Sequence, residues 1–574
     1  MLISQSLFSF SQTKFTFGQC QKTIISLFPN IHENNSTCLR KNSDKTAVLY
    51  GGYTYFTSPC HPLQLELPKD LHSVHDSDDD NKGIGILNFF HGKNIFITGA
   101  TGLLGKVLVE KILRSTSVGK VYLLIKAKDK EAAFNRLTKE IINSELFKCL
   151  KEEHGKFYED FVREKLIPIV GDICEPNMGM DSDAAEIIKR EINVIIQSAA
   201  TTTLNDRYDL SLDANVCAPQ RLVRFAKTCK NIKLFAHIST AYVNGRKEGI
   251  ILEKPLIMGE NGRKEDDDYE ISSSIPPLDL GDEINMALKS CRASTDYDVT
   301  KYLKKLGQER ATFFGWYNTY HLTKALGEMI LNEIRGDIPV LIIRPSVIES
   351  SYEEPFPGWI QGNRMFDPVI ISYGKGQLPA YLADPQLPMD IIPVDMVANT
   401  TIAAMAKHGS THKPQLNVYH VGSSHINPLR YSDFFEYLYE YFNSNPLIEP
   451  ATSIARIKYF DNLSDFSKYT REEIYRCNKL GDTDGKMNHG KIEKQCKAKV
   501  AYAEQLCKMY EFIGFFNASF HTGNTQKLIQ GMSKEERFNF EVNAMKIDWK
   551  KYFQEIHIPG LKRHILGATI RTSV

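Results

Sequence analysis

Six short apolar runs, separated by amphipathic stretches, constrain the fold of this chain more than any other feature. None of the runs alternates apolar with polar residues, which is the pattern of strands buried on both faces. Helical spacing marks stretches between them, such as Leu103–Arg114 and Ala218–Thr228. Alternating strands and helices predict an α/β fold built on a doubly wound parallel sheet. The runs are Asn94–Thr98, Val121–Ile125, Ile167–Val170, Asn193–Gln197, Leu234–Ile238 and Val340–Ile343.

Two segments depart from this simple pattern. Pro168 lies inside the third run, and because a proline cannot donate to a central ladder, it argues against this run as a central strand. The segment Arg246–Asp268 is rich in charged residues and glycine. We therefore expect it to be a long exposed insertion.

The 574 residues exceed what a single core usually organises, so more than one domain is expected. The strand pattern ends near Tyr431, and three later stretches have helical patterns. We predict a sheet domain over residues 85–430 and a smaller, mostly helical C-terminal domain over residues 431–574. The three helical stretches are Ser432–Asn443, Ala498–Phe516 and Lys534–Met545.

The first 84 residues read as a targeting segment followed by a linker. Residues 1–32 contain no acidic residue, are rich in Ser, Thr, Gln and Phe, and carry sparse positive charge at Lys14 and Lys22. This composition is typical of an organelle transit peptide. His75–Gly83 is acidic and turn-rich, as expected of a solvated linker. The alternative is a tail without a targeting function.

Composition excludes several classes of function. A formal net charge of +1 provides no global field to attract nucleic acid. The 11 cysteines are scattered without a C-x-x-C pair, which argues against a zinc site or a dense disulfide framework and favours a reducing compartment. No apolar run reaches 18 residues, so no membrane-spanning helix is indicated. Contact with a membrane surface remains open.

The first predicted strand runs directly into a glycine-rich turn, Gly99-Ala-Thr101-Gly102-Leu103-Leu-Gly105, and then into a helix. The first glycine permits a sharp turn, the second lets backbone approach a pyrophosphate, and the third permits close helix–strand packing. The helix N-terminus adds free N–H groups and partial positive charge. This context predicts a Rossmann-type dinucleotide site with Gly99, Thr101, Gly102, Leu103 and Gly105 at the cofactor.

The end of the second predicted strand bears on the choice of cofactor. NAD enzymes usually carry an acidic residue there for the ribose 2′-hydroxyl. Here the strand ends Ile125-Lys126-Ala-Lys128, so Lys126 or Lys128, together with Arg136, can pair with a 2′-phosphate. NADPH is therefore favoured, although surface lysines are also commonplace. Asp172, after the third strand, is predicted to contact the adenine, or simply to form a Gly-Asp turn.

Tyr320 and Lys324 stand four residues apart in a helical stretch, which puts them on one face. A free tyrosine has a pKa of about 10, and a nearby ammonium lowers it. Tyr320 is then expected to protonate a carbonyl oxygen while hydride reaches the carbon, and Lys324 to hold the nicotinamide ribose. Y-x-x-x-K alone is a weak motif, since it also occurs as a surface pair.

A second segment, His237-Ile-Ser239-Thr240-Ala-Tyr242, ends a predicted buried strand, where doubly wound folds place ligand-binding residues. A hydroxyl from Thr240 or Ser239 can stabilise the developing charge on the same oxygen. Turn capping is the alternative role. The glycine turn, the hydroxyls and the Tyr/Lys helix follow one another in the order that this chemistry requires.

Together these residues resemble the extended short-chain dehydrogenase/reductase family and, within it, the alcohol-forming fatty acyl reductases of the plant plastid male-sterility type. The resemblance covers the chain from about Gly85 to its end, and the C-terminal stretch is similar to that family's helical "sterile" domain. The matching segments are Thr98-GATGLLG-Lys106, His237-ISTAYVNG, Tyr320-HLTKALGE, Ile343-RPSVIES and Glu354-PFPGWIQGNRMFDP. Departures are Lys126, where family members often have Arg, and Gln197-Ser-Ala-Ala200, where some have His.

The resemblance implies an NADPH-dependent reduction of long-chain acyl-CoA or acyl carrier protein thioesters to primary alcohols through an aldehyde, in the chloroplast. It also favours Thr240 over Ser239 as the catalytic hydroxyl. No metal is required, because both reductions need only a proton and oxyanion stabilisation beside the nicotinamide. The segment Pro355–Trp359 either shapes the acyl pocket or is a rigid packing turn. Alternative functions are a sugar-nucleotide epimerase, a steroid dehydrogenase and an inactive NADPH-binding scaffold.

Overall fold

The strands fall into a central sheet and four small pairs outside it. The computed structural model describes residues 83–263, 276–292, 296–411, 413–447, 454–480 and 489–567, so the predicted transit peptide and most of the linker lie outside the described residues. The strands are β1 Ile95–Thr98, β2 Val121–Ile125, β3 Leu166–Val170, β4 Val194–Gln197, β5 Leu234–Ile238, β6 Gly249–Ile251, β7 Val340–Pro345, β8 Val347–Glu349, β9 Ala380–Leu382, β10 Pro388–Met389, β11 Ile391–Pro393, β12 Leu416–Val421, β13 Leu429–Arg430, β14 Lys458–Phe460 and β15 Ala518–Phe520.

Helices cover both faces of the sheet and build most of the C-terminal region. The α-helices of the described residues are α1 Ile86–Phe90, α2 Leu103–Ser115, α3 Lys130–Leu137, α4 Lys148–His154, α5 Tyr158–Lys165, α6 Ser182–Glu191, α7 Tyr208–Leu212, α8 Ala218–Ala226, α9 Leu280–Arg292, α10 Asp296–Phe313, α11 Thr319–Ile334, α12 Asp367–Gly374, α13 Val394–Gly409, α14 Tyr431–Ser444, α15 Leu463–Leu480, α16 His489–Gly514, α17 Gly523–Gly531, α18 Lys534–Asn539, α19 Trp549–Lys551 and α20 Ile558–His564. Single π-helical turns interrupt the pattern at Thr138–Ile142, Asp213–Cys217 and Tyr552–His557.

The central sheet has seven parallel strands in the order β12-β7-β5-β4-β1-β2-β3. The order reverses beside β1, so the carboxyl ends of β1 and β4 flank the crevice where such sheets bind ligands. Apolar clusters cover both faces of the sheet. The predicted doubly wound α/β fold is confirmed.

All six predicted strands are present, and their bounds agree to within one or two residues. Pro168 is tolerated because β3 is an edge strand that pairs only with β2, so one side of it has no ladder to interrupt. The seventh strand, β12, was not predicted, because Asn417 and His420 interrupt its apolar run.

The prediction of an exposed insertion at Arg246–Asp268 is wrong in part: Ile250 and Ile257 are exposed, but the segment also contains a strand and buried residues. Residues Gly249–Ile251 form strand β6, which pairs in parallel with β15 of the C-terminal region. Ile251 and Leu256 are buried. The segment is partly covered because C-terminal residues supply its strand partner, which lies too far along the chain for a local pattern to reveal. Residues 264–268 lie outside the described residues.

The C-terminal region is largely helical, as predicted. Two of its predicted helices correspond to α14 and α16, whereas the third, α18, ends at Asn539 rather than continuing to Met545. Residues of this region, including Phe520, Phe540 and Tyr552, share one apolar cluster with residues of the sheet layer. The Glu536 carboxylate also accepts three backbone N–H groups from residues 84–86, at 2.8–2.9 Å. The start of the sheet region is therefore anchored to the C-terminal region.

Candidate active site

The glycine turn after β1 is shaped by two close backbone approaches. Gly99 has φ +77°, and a Cβ there would lie 2.6 Å from the backbone nitrogen of Ala199, just after β4. A Cβ at Gly105 would lie 2.2 Å from the Gly99 carbonyl oxygen. Any side chain at either position would therefore push the turn or helix α2 out of place. These are the roles that the sequence predicted for the first and third glycines.

Gly102 differs from the other two because its surroundings are open. It is exposed, and a Cβ there would meet only the Gly99 carbonyl oxygen, at 3.3 Å. It is also the N-cap of α2 and, having no side chain, leaves the first N–H groups of the helix without a side-chain cap. An open backbone surface at an uncapped helix N-terminus fits a dinucleotide pyrophosphate.

The other two predicted residues of the turn contribute through their backbone. The side chain of Leu103 is buried in the apolar cluster, so only its backbone N–H can face a ligand. The carbonyl of Thr101 accepts a 3.4 Å hydrogen bond from Gln361 Nε2. Gln361 lies in one of the segments that carried the family resemblance, and this contact ties that segment to the glycine turn.

Lys126, Arg136 and Asp172 come together beside the carboxyl ends of β2 and β3. Lys126 Nζ lies 2.7 Å from Asp172 Oδ2. Arg136 donates to the carbonyl of Lys126 at 2.7 Å and pairs with Glu140 at the same distance. Both cations are partly exposed and already paired with carboxylates, and such pairs contribute only about 0–1 kcal/mol. Their carboxylate partners can therefore be exchanged for a phosphate at small cost.

The Tyr/Lys motif lies in α11, as predicted. The helix starts after Asn318, whose side-chain oxygen accepts from the backbone N–H of His321 at 3.0 Å. Lys324 is buried and donates to the carbonyl oxygen of Ile238, at the end of β5, at 2.7 Å. Its ammonium also lies 3.3 Å from His237 Nε2. Lys324 thus fixes the helix against the end of the strand that leads to the predicted hydroxyls.

The expected effect of Lys324 on Tyr320 does not hold in this structure. Burial raises the pKa of Tyr320 well above its usual value, and no lowering contribution from Lys324 accompanies it. Burial likewise lowers the pKa of Lys324 to about 8, against an opposing contribution from Glu328. Removal from water outweighs charge–charge attraction here. Tyr320 is consequently a protonated phenol at neutral pH, and a weaker acid than a free tyrosine.

Ser239 and Thr240 follow β5 and are both buried, but their hydroxyls differ in their contacts. Thr240 Oγ1 accepts from the backbone N–H of Tyr242 at 3.4 Å and caps the short 3₁₀ turn Ala241–Asn244. A hydroxyl oxygen that accepts in this way keeps its proton for donation to another group. The Ser239 hydroxyl makes no hydrogen bond, while its backbone N–H donates to Ile343 in β7 at 2.7 Å.

Asn215, which the sequence analysis did not single out, positions the Tyr/Lys helix. It lies in the π-helical turn Asp213–Cys217, and π-helical turns often occur at functional sites. Its amide donates to Thr323 Oγ1 at 3.1 Å, while its side-chain oxygen accepts from the backbone of Thr201. A Cβ at Gly327 would lie 2.2 Å from the Asn215 carbonyl oxygen, so α11 approaches this turn closely.

A buried ion pair, also missed from the sequence, connects the same helix to the sheet. Arg344 in β7 and Glu328 in α11 are both fully buried, and their closest atoms are 2.6 Å apart. Removing one partner of such a pair commonly costs about 3–5 kcal/mol, because the other charge remains buried. The available signal was an arginine within the apolar run Val340–Pro345, since a buried charge requires a partner.

The segment Pro355–Trp359 packs against the C-terminal region. A Cβ at Gly358 would lie 2.5 Å from the carbonyl oxygen of Ile556. The ring centroids of Phe356 and His564 lie 6.3 Å apart. Ser351 closes the turn by donating to the carbonyl of Phe356 and accepting from the N–H of Trp359. These contacts favour the packing role over the acyl-pocket role.

Comparisons with known proteins agree with this arrangement. An NAD-binding family model described as "Male sterility protein" matches residues 97–401, and a second, "Sterile", matches residues 487–568. The chain is 46% identical to "Fatty acyl-CoA reductase 2, chloroplastic" of Arabidopsis thaliana, over 84% of this chain and 80% of that protein. It is 39% identical to "Alcohol-forming fatty acyl-CoA reductase" of Simmondsia chinensis, over 84% of this chain and 99% of that protein.

The chain belongs to the fatty acyl-CoA reductase family. As a member, it is an oxidoreductase with an NAD(P)-binding domain. Solved structures support the fold of this fatty acyl-CoA reductase. The terminal reductase domain of the myxalamid pathway has a TM-score of 0.51 at 16% identity, covering 83% of this chain and 93% of that one. A reductase domain of a nonribosomal peptide synthetase from Mycobacterium tuberculosis also has a TM-score of 0.51, at 17% identity. The match covers 86% of this chain and 96% of that one.

Among the described residues, no helix is long and apolar enough to cross a bilayer.

Proposed function

We propose that the protein reduces long-chain fatty acyl thioesters to primary fatty alcohols with NADPH, through an aldehyde. The observation that carries this proposal is the contact of Lys324 with the end of β5, which links the helix of Tyr320 to the strand that presents Ser239 and Thr240. The names of the relatives, among them an alcohol-forming fatty acyl-CoA reductase, support the substrate class.

The protein's own residues supply the proton and stabilise the charge in both reductions. When bound, the nicotinamide supplies the hydride. Tyr320, which is protonated at neutral pH, gives its proton to the substrate oxygen. Thr240 is held by the N–H of Tyr242 with its own proton free to stabilise the same oxygen. The thioester becomes a hemithioacetal, which expels the thiol to leave an aldehyde, and the same residues serve the second reduction.

Lys324 has two roles in the proposal. It already donates to the carbonyl of Ile238, and an ammonium has three protons, so it keeps capacity for a ribose hydroxyl. His237 beside it is held neutral, because burial and then the Lys324 charge lower its pKa well below the usual value. A neutral imidazole can accept from Lys324 through Nε2. The ammonium is thereby oriented by two neighbours before any ligand arrives.

The preference for NADPH over NADH rests on Lys126, which follows β2, and on Arg136, which donates to the carbonyl oxygen of Lys126. A phosphate dianion accepts charge-assisted hydrogen bonds as a carboxylate does and carries a second negative charge. We propose that the 2′-phosphate replaces Asp172 as the partner of Lys126, so that Asp172 binds the adenine instead.

We further propose that the protein acts in the chloroplast on acyl-CoA or acyl carrier protein thioesters. The composition of residues 1–32 and a relative named as chloroplastic support this location. In this proposal residues 1–84 are the transit peptide and linker, residues 85–430 the reductase domain and residues 431–574 the helical C-terminal domain. Fusion of residues 1–84 to a fluorescent protein tests the location: plastid import supports it, and cytosolic fluorescence opposes it.

The activity is tested with the full chain, palmitoyl-CoA and palmitoyl carrier protein, each with NADPH or NADH. Hexadecanol and consumption of two NADPH per alcohol are expected. Turnover of a sugar nucleotide or a steroid without alcohol would favour one of the alternative dehydrogenase functions. NADPH binding without turnover of any substrate would favour an inactive scaffold. Comparison of the two thioesters under the same conditions shows which carrier the enzyme prefers.

A further inference from the structure

Three buried side chains from distant parts of the chain meet in a cluster that includes none of the residues assigned above. Glu349 ends strand β8, Asp367 is the first residue of α12, and His557 is the last residue of the π-helical turn Tyr552–His557. All three are fully buried, and one ligand-type atom of each lies within 4.8 Å of the others. Each comes from a segment that carried the family resemblance, yet the proposed reduction does not use any of them.

Each of the three side chains is fixed through one atom and leaves another atom directed at the common point. Glu349 Oε1 accepts from the backbone N–H of Phe366 at 3.1 Å. Asp367 Oδ2 accepts from the backbone N–H of Arg364 at 3.0 Å. The Nδ1 of His557 lies 2.9 Å from Ser350 Oγ, a hydrogen bond that sets the ring orientation. This is the usual way in which metal-binding histidines and carboxylates are held.

The three remaining atoms, Glu349 Oε2, Asp367 Oδ1 and His557 Nε2, have no hydrogen-bond partner. His557 Nε2 lies 3.2 Å from Asp367 Oδ1 and 4.0 Å from Glu349 Oε2, but its ring N–H is not aligned to donate to either. Ligand bonds of about 2.0–2.2 Å to one tetrahedral ion put neighbouring ligand atoms about 3.3–3.6 Å apart. Small side-chain shifts would satisfy that geometry.

The charge at this cluster is also unbalanced. Two buried carboxylates face each other, and Arg364, a cation close to both, is only partly withdrawn from solvent. A divalent cation at the common point would balance both carboxylates and give all three unpartnered atoms a ligand role.

We propose that Glu349, Asp367 and His557 bind a divalent transition-metal ion, with Zn²⁺ the expected occupant. An imidazole nitrogen with two carboxylate oxygens suits Zn²⁺, whereas Mg²⁺ and Ca²⁺ prefer sites built from oxygen alone. The ion would tie the C-terminal segment to the loop after β8 and to the start of α12. Its role is structural, because binding to a site present only in the folded chain adds to folding stability.

The test uses the full chain, expressed with zinc in the medium, dialysed, and analysed by plasma mass spectrometry. We expect one Zn²⁺ per chain. The isosteric variant Glu349→Gln and the variant His557→Gln should both lose it. His564→Gln is the matched control: this histidine lies in the adjacent helix and pairs with Glu145, outside the cluster. The control should retain the metal. X-ray absorption of the wild-type protein should show only nitrogen and oxygen ligands.

The X-ray absorption measurement needs no variant, so it decides the matter even where a buried substitution prevents folding. A sulfur ligand at about 2.3 Å would overturn the proposal, since it would assign the metal to cysteine. Absence of metal, together with no uptake of added Zn²⁺ or Co²⁺ by the purified chain, would overturn it as well. The cluster would then be a buried carboxyl pair that shares a proton beside His557. Retention of the ion by folded Glu349→Gln would refute the assigned ligands.

Discussion

Gly102→Ala separates binding of the dinucleotide from stability of the fold. The backbone of Gly102, at φ −78° and ψ 170°, is allowed for alanine. The added Cβ would meet only the Gly99 carbonyl oxygen, at 3.3 Å, a tight contact that requires the turn to shift by a few tenths of an ångström. The free energy of unfolding should therefore change by less than about 1 kcal/mol. The new methyl group would instead occupy the exposed surface in front of α2, where the pyrophosphate has to approach the backbone.

The expected loss of affinity follows from that displacement. A phosphate oxygen hydrogen-bonds to a backbone N–H at about 2.9 Å, and a methyl group in its path prevents this approach. Loss of one hydrogen bond to a charged group costs about 1.5–3 kcal/mol, which corresponds to a rise of about 10- to 150-fold in the Kd for NADPH. Isothermal titration calorimetry measures the Kd, and a thermal melt of the same sample measures stability.

Gly105→Ala is the matched control. Its Cβ would lie 2.2 Å from the Gly99 carbonyl oxygen and 2.9 Å from Ala100 Cα, both backbone atoms that cannot move aside alone. Overpacking of this kind costs about 1–3 kcal/mol or more, so this variant should lower Tm as well as affinity. If Gly102→Ala bound NADPH like the wild type, or lost as much Tm as Gly105→Ala, the assigned role of Gly102 would be wrong.

Three further predictions concern individual side chains. Thr240→Val should lower kcat about 10²–10³-fold, as loss of an oxyanion donor does, whereas the kcat of Ser239→Ala should stay near that of the wild type. The reverse result in steady-state kinetics would make Ser239 the hydroxyl that stabilises the oxyanion. The kcat/KM should fall as pH rises through about 8, because Lys324 then loses its proton. The residual activity of Lys324→Arg should not show this fall. If the fall persists in that variant, another group causes the pH dependence. Lys126→Ala should raise the KM for NADPH about tenfold or more and leave the KM for NADH unchanged. Equal effects on both cofactors would refute the proposed contact between Lys126 and the 2′-phosphate.

The sheet and the glycine turn could be predicted from local sequence patterns. Strands buried on both faces appear as apolar runs, so β2 and β5 were predicted residue for residue. β12 was missed because Asn417 and His420 break its apolar run. The imidazole of His420 is nonetheless satisfied inside the protein, since its Nδ1 donates to the carbonyl oxygen of His521 at 3.0 Å. That partner is distant in sequence and leaves no local signal.

Residues of the candidate site were predictable where the chemistry depends on local spacing. Tyr320 and Lys324 share a helix, and their joint position follows from a separation of four residues. The pKa of Tyr320 was not predictable, because it depends on how completely the tertiary structure removes the phenol from water. The meeting of Glu349, Asp367 and His557 was likewise hidden, since it depends on how the C-terminal region packs against the sheet region.

The central claim, that Tyr320 is the proton donor of an acyl thioester reductase, is tested most directly by Tyr320→Phe. The measurement is the rate of alcohol formation from palmitoyl-CoA with NADPH, together with the Kd for NADPH of the same protein. We predict that the rate falls about 10²–10⁴-fold while the Kd stays within error of the wild type. Alcohol formation at the wild-type rate would contradict the claim.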